Sequence, residues 1–380
     1  MSGFLANASG ASPLSMQPTI GVSTEYASNP YLLAAGARAV SDAALLLSDP
    51  ILYDLDSTHF TLAPSVRYSD SGSYASLNSN YVHINGGAQF GDDLDTLSLS
   101  ASFGRDSSLY QNGLTSGGVG VRSDVSTSGI DWLRAITERL QFELDASWAR
   151  VLYDQSATSE GLFDYRYLSE GSVLSYDLTE RDKIKVLGGA GQYLALDGAT
   201  KSSNLNLQVG WQRRLTEIWK FSASVGYARS NNIAYFFSGP YLLGTVTSVQ
   251  KGPVYNASAV REGEKFTLTA SASRAFRPSG FEFLSRQDTA ELNVSYTLSE
   301  RWSFGAKGDF TRAATPQFNG PQVTQQYFSE TTSVSWHWTP TWVLSLQATW
   351  VNVKYDLPPL SADSSGVALQ ISRQFLRMDL

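Results

Sequence analysis

A period of two returns in segment after segment of this chain, and it narrows the folds open to it more than any other feature. From Leu140 to Tyr153, Leu140, Phe142, Leu144, Ala146 and Trp148 share one parity, while Gln141, Glu143, Asp145 and Ser147 share the other. Successive side chains of a strand point to opposite faces, so such a segment has one apolar face and one wet face. The same alternation runs through Thr96–Phe103, Asn206–Leu215, Lys220–Tyr227, Lys265–Ser273, Glu291–Leu298, Trp302–Thr311 and Leu344–Trp350. Helical periodicity is almost absent.

Two architectures satisfy a period of two: a soluble sandwich or solenoid, and a membrane barrel. The apolar faces here intersperse Ala and Gly among the large residues, which is thin for an interdigitated core and adequate against lipid tails. The alternating runs also reach about 10–14 residues, beyond the soluble mode of about 5–6 and enough to cross a bilayer core. Composition agrees. Charged residues are 17%, against about 25% in soluble domains, yet mean hydropathy is slightly polar at −0.18, because Ser, Thr, Asn and Gln fill the gap. No apolar run approaches the roughly 18 residues of a spanning helix. The expected fold is all-β: one transmembrane antiparallel up-and-down β-barrel over residues 17–380, preceded by a periplasmic tail over 1–16. The opening residues have neither a basic segment nor an apolar core of a signal peptide and read as a mature chain carrying a start methionine.

Other classes fall away. With no cysteine and three distant histidines (His59, His83, His337), no metal site, cofactor or thiol chemistry is expected. A net charge of −7 argues against nucleic acid as a partner. His59 and His337 fall on polar faces near one rim without a nucleophile motif, so the chain does not read as an enzyme. A TonB-type receptor would carry an N-terminal plug.

A short turn sets the topology. It appears as Ile136-Thr-Glu-Arg139, Leu178-Thr-Glu-Arg-Asp182, Leu215-Thr-Glu-Ile-Trp219 and Leu298-Ser-Glu-Arg-Trp302. Arg261–Lys265, Thr339–Trp342, Phe90–Asp93 and Tyr53–Ser57 hold equivalent places, and the eight recur at intervals of 37 to 46 residues. Between them lie longer polar connections such as Asp106–Thr115, Gln155–Gly161, Asn231–Lys251 and Ala314–Pro321. Short turns on one rim and long loops on the other are the outer-membrane pattern, with the short turns and both termini in the periplasm. Eight turns with a strand pair at each, plus an opening and a closing strand, give about 18 strands. The count is 16 if Ser41–Leu52, which holds Pro50, is not a strand. The long apolar connection Asn231–Lys251 either folds into the lumen or extends the strands, and extension is slightly favoured.

Trp132, Trp219, Trp302, Trp338 and Trp342 sit beside the short turns, as an interfacial aromatic girdle would. Trp148, Trp211 and Trp350 are expected deeper. Gly366–Phe375 reads as a closing strand. It resembles the C-terminal insertion signal of outer-membrane proteins, but runs on to Leu380.

About 18 strands enclose an aqueous lumen unless something fills it. The polar faces carry Arg67, Lys183, Lys185, Arg214, Lys220, Lys265 and Lys307, with Glu143, Asp145, Glu291 and Asp309. These are the candidate lumen-lining charges. Either they pair and hydrate as a mixed lining, or the slight basic excess makes a mildly cationic path for neutral or anionic solutes. The partners expected are outer-membrane lipid and lipopolysaccharide, and small polar solutes or a saccharide.

Gln17-Pro-Thr-Ile-Gly-Val, Glu25-Tyr-Ala-Ser-Asn-Pro30 and Leu62-Ala-Pro-Ser-Val-Arg-Tyr68 resemble the opening of the outer-membrane "beta-barrel porin 2" group, whose barrels match this chain in length and in tight hairpins. Members of that group are associated with exopolysaccharide secretion. The resemblance therefore implies an export channel for a saccharide polymer, working with periplasmic export machinery. The alternatives are a general or solute-specific diffusion porin and a non-conducting adhesion or structural barrel.

Overall fold

A computed structural model describes residues 13–30, 32, 34–70, 80–92, 94–107, 122–154, 162–238, 241–279, 283–315, 323–356 and 359–379. In chain order the strands are β1 (Leu14–Met16), β2 (Thr19–Ala27), β3 (Val40–Ser48), β4 (Ile51–Leu55), β5 (Thr58–Asp70), β6 (Tyr81–Gly91), β7 (Asp95–Ser107), β8 (Arg122–Ala135), β9 (Leu140–Tyr153), β10 (Tyr165–Asp177) and β11 (Asp182–Ala195). There follow β12 (Thr200–Arg214), β13 (Trp219–Ser238), β14 (Tyr241–Glu262), β15 (Phe266–Pro278), β16 (Leu284–Thr297), β17 (Trp302–Thr315), β18 (Val323–His337), β19 (Trp342–Asp356), β20 (Pro359–Gln374) and β21 (Met378–Asp379). All pairings are antiparallel between neighbours, and β20 pairs with both β19 and β2, closing the sheet.

These 21 segments are 18 barrel strands, because three strands are interrupted. β3 and β4 both pair with β5 in one continuous register, Ser48 opposite Ser65 and Ile51 opposite Leu62. Only Asp49 and Pro50 fall out of the ladder. Pro50 has no N–H to give, but its carbonyl still accepts from Gln17 N at 3.2 Å. Pro18 breaks β1 from β2 beside it, and its carbonyl accepts from Phe375 N where β20 passes into β21. Ser41–Leu52 is thus a true strand with a proline at its break. Leu14–Met16, assigned by sequence to the leading tail, lies in the sheet against β4 and β21.

All eight short turns lie on one rim. The Leu/Ile-Thr/Ser-Glu-Arg type works through its hydroxyl. Thr137, Thr179 and Ser299 each accept from the backbone N–H two residues on, at 3.2–3.3 Å. Thr137 and Thr179 also take the N–H three residues on, at 2.9–3.0 Å, while the preceding apolar residue bonds the carbonyl that opens the next strand. A side-chain oxygen standing in for a backbone acceptor is what makes Ser and Thr turn residues. The opposite rim is more varied than the sequence suggested. Leu196–Ala199 is a tight turn with Gly198 at φ 76°. Asn231–Lys251 is not a loop but the end of the longest hairpin, β13 and β14 staying paired up to Ser238 and Tyr241; the extension reading holds. Asp106–Thr115, Gln155–Gly161 and Ala314–Pro321 fall mostly or wholly outside the described residues.

The apolar parity faces outward. On β12, Leu205, Leu207 and Val209 are 66%, 62% and 57% exposed, and Val225 and Tyr227 follow on β13. Nine residues of tilted strand, as in Leu140–Trp148, span about 20–23 Å, close to the roughly 25 Å apolar band of a transmembrane barrel. Indoles anchor its short-turn edge: Trp132 Nε1 donates to Asp95 at 2.7 Å and Trp211 Nε1 to Asp182 at 3.1 Å. Trp211, expected deeper, therefore reaches the rim. Trp302 and Trp336 stack at 5.9 Å, and Trp338 continues the row.

Candidate functional site: a lumen narrowed by a tucked hairpin

The wet parity faces inward and is bound together by hydroxyl pairs across neighbouring strands. Ser102–Thr127 and Ser147–Ser169 meet at 2.6 Å, Ser273–Thr289 at 2.7 Å and Ser222–Ser258 at 2.8 Å. Such pairs satisfy each other without charge.

Register places the candidate charges on the wall. Asp131 lies opposite Asp145, and Glu143 is two residues further toward the short-turn rim, so β8 and β9 carry three inward carboxylates. β11 faces them across β10 with Lys183 and Lys185. Lys183 Nζ reaches over β10 to Gln141 Oε1 at 2.8 Å and pairs with Asp177 at 3.4 Å. Roughly halfway round the barrel, Glu291 stands opposite Asp309, whose carboxylate takes Lys307 at 2.9 Å and Ser329 Oγ at 3.4 Å. Lys220 pairs with Glu262 at 3.1 Å beside the short-turn mouth, and Arg214 ends β12 at the same mouth. Lys265 belongs to the turn between β14 and β15 rather than to a strand. Arg67 sits toward the far end, 3.3 Å from Glu25 and 3.4 Å from Asp42.

The basic excess inferred from sequence does not survive this census. Among the described inward strand positions, Glu25, Asp42, Asp54, Asp131, Asp177 and Glu262 join the acidic set, and only Arg277 joins the basic one. The lining is mixed, and most of its cations sit against carboxylates.

The lumen is entered by a segment that sequence reasoning passed over. β14 and β15 pair only as far as Tyr255 and Arg274. Beyond that point β14 continues upward with β13, while β15 and β16 stay joined to Pro278 and Leu284. The freed tip tucks inside the barrel. Phe276 and Leu284, 6% and 0% exposed, share one buried cluster with Tyr193, Ala195, Ala228 and Val254 of the inner walls of β11, β13 and β14, flanked by Tyr165 and Tyr167. Small residues on the wall make the room. Ser279 Oγ holds the tip by donating to the Phe283 carbonyl at 2.8 Å.

Beside the tip lies a cavity of about 600 Å³, within the roughly 300–1,000 Å³ of small-ligand sites. Tyr153, Tyr165 and Tyr167 supply aromatic surface; Asn204, Asn206, Gln208 and Gln287 supply amides; Asp145 and Glu170 from the wall, with Arg274 and Arg277 from the hairpin, are the charged residues that border it. The run Leu187-Gly-Gly-Ala-Gly191 shapes one side. A Cβ at Gly191 would collide with the Asn204 amide oxygen and the Tyr167 hydroxyl, and one at Gly189 with the Asn206 amide. Glycine lets these polar groups lie flat on the wall. Several inward polar atoms above the cavity are fully buried without a hydrogen-bond partner: both side-chain polar atoms of Asn232, and the hydroxyls of Ser202 and Ser230. Arg277, Phe276 and Leu284 were detectable only as a break in alternation at Phe276-Arg-Pro-Ser-Gly280, where Pro and Gly interrupt an apolar run.

His59 Nδ1 lies 2.8 Å from Asp54 on the short-turn rim, both about half exposed.

The sequence matches no family model and no curated protein. Among solved structures, the chain is similar to OccAB3 of Acinetobacter baumannii (12% identity, 95% of this chain and 99% of that one, TM-score 0.47). It is similar also to OccK3 (OpdO) of Pseudomonas aeruginosa (10%, 95% and 95%, 0.46), and to the copper transporter OprC (10%, 92% of this chain, 0.46), of which it spans 65%. At these values the likenesses carry nothing about solute or mechanism.

Proposed function

We propose that this chain is a channel of the Gram-negative outer membrane, with its short-turn rim and both termini in the periplasm, and that it passes a neutral saccharide chain outward. The observation that carries the reading is the cavity beside the tucked hairpin. Sugars present hydroxyls that amides bind as donor and acceptor at once, and weakly polar ring faces that lie against aromatic side chains. Three tyrosines and four amides converge there, while Arg67, Lys183, Lys220 and Lys307 are held by carboxylates. A lining of this kind orients a neutral polyol without trapping it. The resemblance to the beta-barrel porin 2 group supports a polymer as the cargo.

The size of the cavity favours one other reading, a diffusion porin selective for a small polar solute. Deleting the gene and measuring secreted polymer tests the first; normal secretion overturns it. Liposome swelling with saccharides of increasing length separates the two. A polymer channel admits chains well beyond a disaccharide, and a small-solute porin shows a sharp cut-off. Tyr167→Ala and Asn206→Ala should change the discrimination among saccharides and leave potassium chloride conductance nearly unchanged.

A further inference from the structure

The outer face above the apolar band treats its charges in two different ways. At two places an outward cation meets a carboxylate directly across the ladder. Arg105 pairs with Asp124 at 2.7 Å, and Arg274 makes a two-point contact with Asp288 while lying over the Tyr255 ring. On the arc from β9 to β14 the same row is filled differently. Arg150 stands directly opposite Arg166, and Arg229 directly opposite Lys251. All four are exposed. None has a carboxylate partner among the described residues; Arg229 bonds only the Asn231 amide, at 3.2 Å. Lys201 of β12 points outward between them and slightly higher, also exposed.

Like charges directly opposite on adjacent strands destabilise a sheet, and two such pairs on one arc ask for an anion. Their height says which. Below each pair is an apolar row, Trp148 and Leu168 under one and Tyr227 under the other, so the cations stand where hydrocarbon gives way to headgroups. Guanidinium and ammonium groups take phosphate oxygens by charge-assisted hydrogen bonds. The two pairs are four strand spacings apart, about 19 Å, too far for one phosphate to serve both. Among the described strand residues near the pairs, the outward carboxylate is Glu170, a row lower, beside Ala146 and Ala190; Asp164, just before β10, accepts from the Tyr153 backbone N–H at 2.7 Å.

We propose that the outward face of β9–β14 is a binding surface for the phosphates of an anionic glycolipid of the outer leaflet, with Arg150 and Arg166 forming one phosphate site and Arg229 and Lys251 the other. This rests on the outer-membrane reading above. It fixes one arc of the barrel against the lipid rather than a uniform belt.

The test uses the full chain, refolded and reconstituted into phosphatidylcholine vesicles doped with lipid A, with lipid A stripped of its phosphates, or with neither plus inorganic phosphate. Lipid retained after detergent extraction is counted by native mass spectrometry. The wild-type protein should retain phosphorylated lipid A at least tenfold better than the dephosphorylated form, equivalent to about 1.4 kcal/mol. Arg150→Gln with Arg229→Gln should abolish that preference, and Arg312→Gln, on the far side of the barrel, should leave it. Equal retention of both lipids, or a double variant as selective as wild type, overturns the proposal, as does equal displacement by inorganic phosphate at millimolar concentration. If the chain fails to insert into any vesicle, the outer-membrane reading falls instead. Heat-modifiable migration in gels reports that each variant is folded.

Discussion

The tucked tip of β15 and β16 should be held by two side chains, and removing them should open the channel. Phe276 and Leu284 are 6% and 0% exposed, and each fully buried side chain of that size contributes about 1.5–3 kcal/mol. Docking of the tip is therefore worth about 3–6 kcal/mol, an upper figure since the undocked tip buries some surface too. In a rigid core Phe→Ala costs about 3–5 kcal/mol because a cavity remains. Here the tip can leave instead, so the loss is capped by the docking energy. Phe276→Ala should weaken docking by about 2–3 kcal/mol, raising the undocked fraction about 30- to 150-fold, and Phe276→Ala with Leu284→Ala should leave the tip undocked. Single-channel recordings in planar bilayers should then show larger conductance in the double variant and long-lived openings in the single one. A second readout uses the absence of native cysteine. Ala195 is 1% exposed on the wall beneath the tip, so Ala195→Cys should resist a water-soluble maleimide in the otherwise wild-type chain and react in the double variant. A folded double variant with unchanged conductance and a protected Cys would refute the reasoning, because the tip would then be fixed by something other than these two residues.

Three other expectations follow from the wall and the turns. Lys183→Gln with Lys185→Gln leaves Asp131, Glu143 and Asp145 facing the lumen without the β11 cations; a unit charge at about 4 Å in water is worth about 1 kcal/mol, so reversal potentials in a salt gradient should move toward cations by about fivefold in permeability ratio, and an unchanged ratio would show that ions take another path. Arg67→Gln removes the cation, 13% exposed, that bridges Glu25 and Asp42 on neighbouring strands; losing a charge-assisted contact of this kind costs about 1–3 kcal/mol, and the temperature at which heat-modifiable migration is lost should fall, a change that Lys at this position partly restores. Asp92, in the turn between β6 and β7, accepts from Leu94 N at 2.9 Å and Asp95 N at 3.0 Å, and these backbone bonds hold its carboxyl below the usual range; a depressed pKa stabilises the fold above the unfolded value of about 3.9 and loses that contribution as pH falls through the lower folded value, so unfolding should accelerate below about pH 4 in the wild-type chain more than in Asp92→Asn.

The fold was legible because its two signals are local. Alternation needs no knowledge of partners, and the hydroxyl of Thr137, Thr179 or Ser299 closes its turn from within five residues. The strand broken at Pro50 was the doubtful case for the same reason. Proline reads as a terminator along the chain, while the ladder that carries β3 into β4 is supplied by β5, a neighbour beyond the turn. The constriction was not legible because parity says only which residues share a face. Phe276 has the parity of Arg274, and Leu284 that of Arg286 and Asp288, all on the outward side of the hairpin. Where β15 parts from β14 that face stops meeting lipid and begins meeting the inner wall, and nothing in residues 276–285 states where the neighbouring strand lets go.

The same reasoning explains why a chain with few charges places them as it does. Inside, four cations lie against carboxylates, Lys307 at 2.9 Å, Lys220 at 3.1 Å, Arg67 at 3.3 Å and Lys183 at 3.4 Å, and on the function proposed above this leaves fewer bare charges to hold a passing chain against the wall. Outside, at the headgroup level, a bare cation has a use, since lipid phosphates can come to it. Arg150 opposite Arg166 and Arg229 opposite Lys251 would be faults anywhere else in the sheet. Their neighbours at Arg105 and Arg274 show that a carboxylate could have been placed across the ladder at that height. On the two proposals made above, the protein neutralises most of the charge on its inner wall itself and leaves one outward arc for lipid phosphates to neutralise.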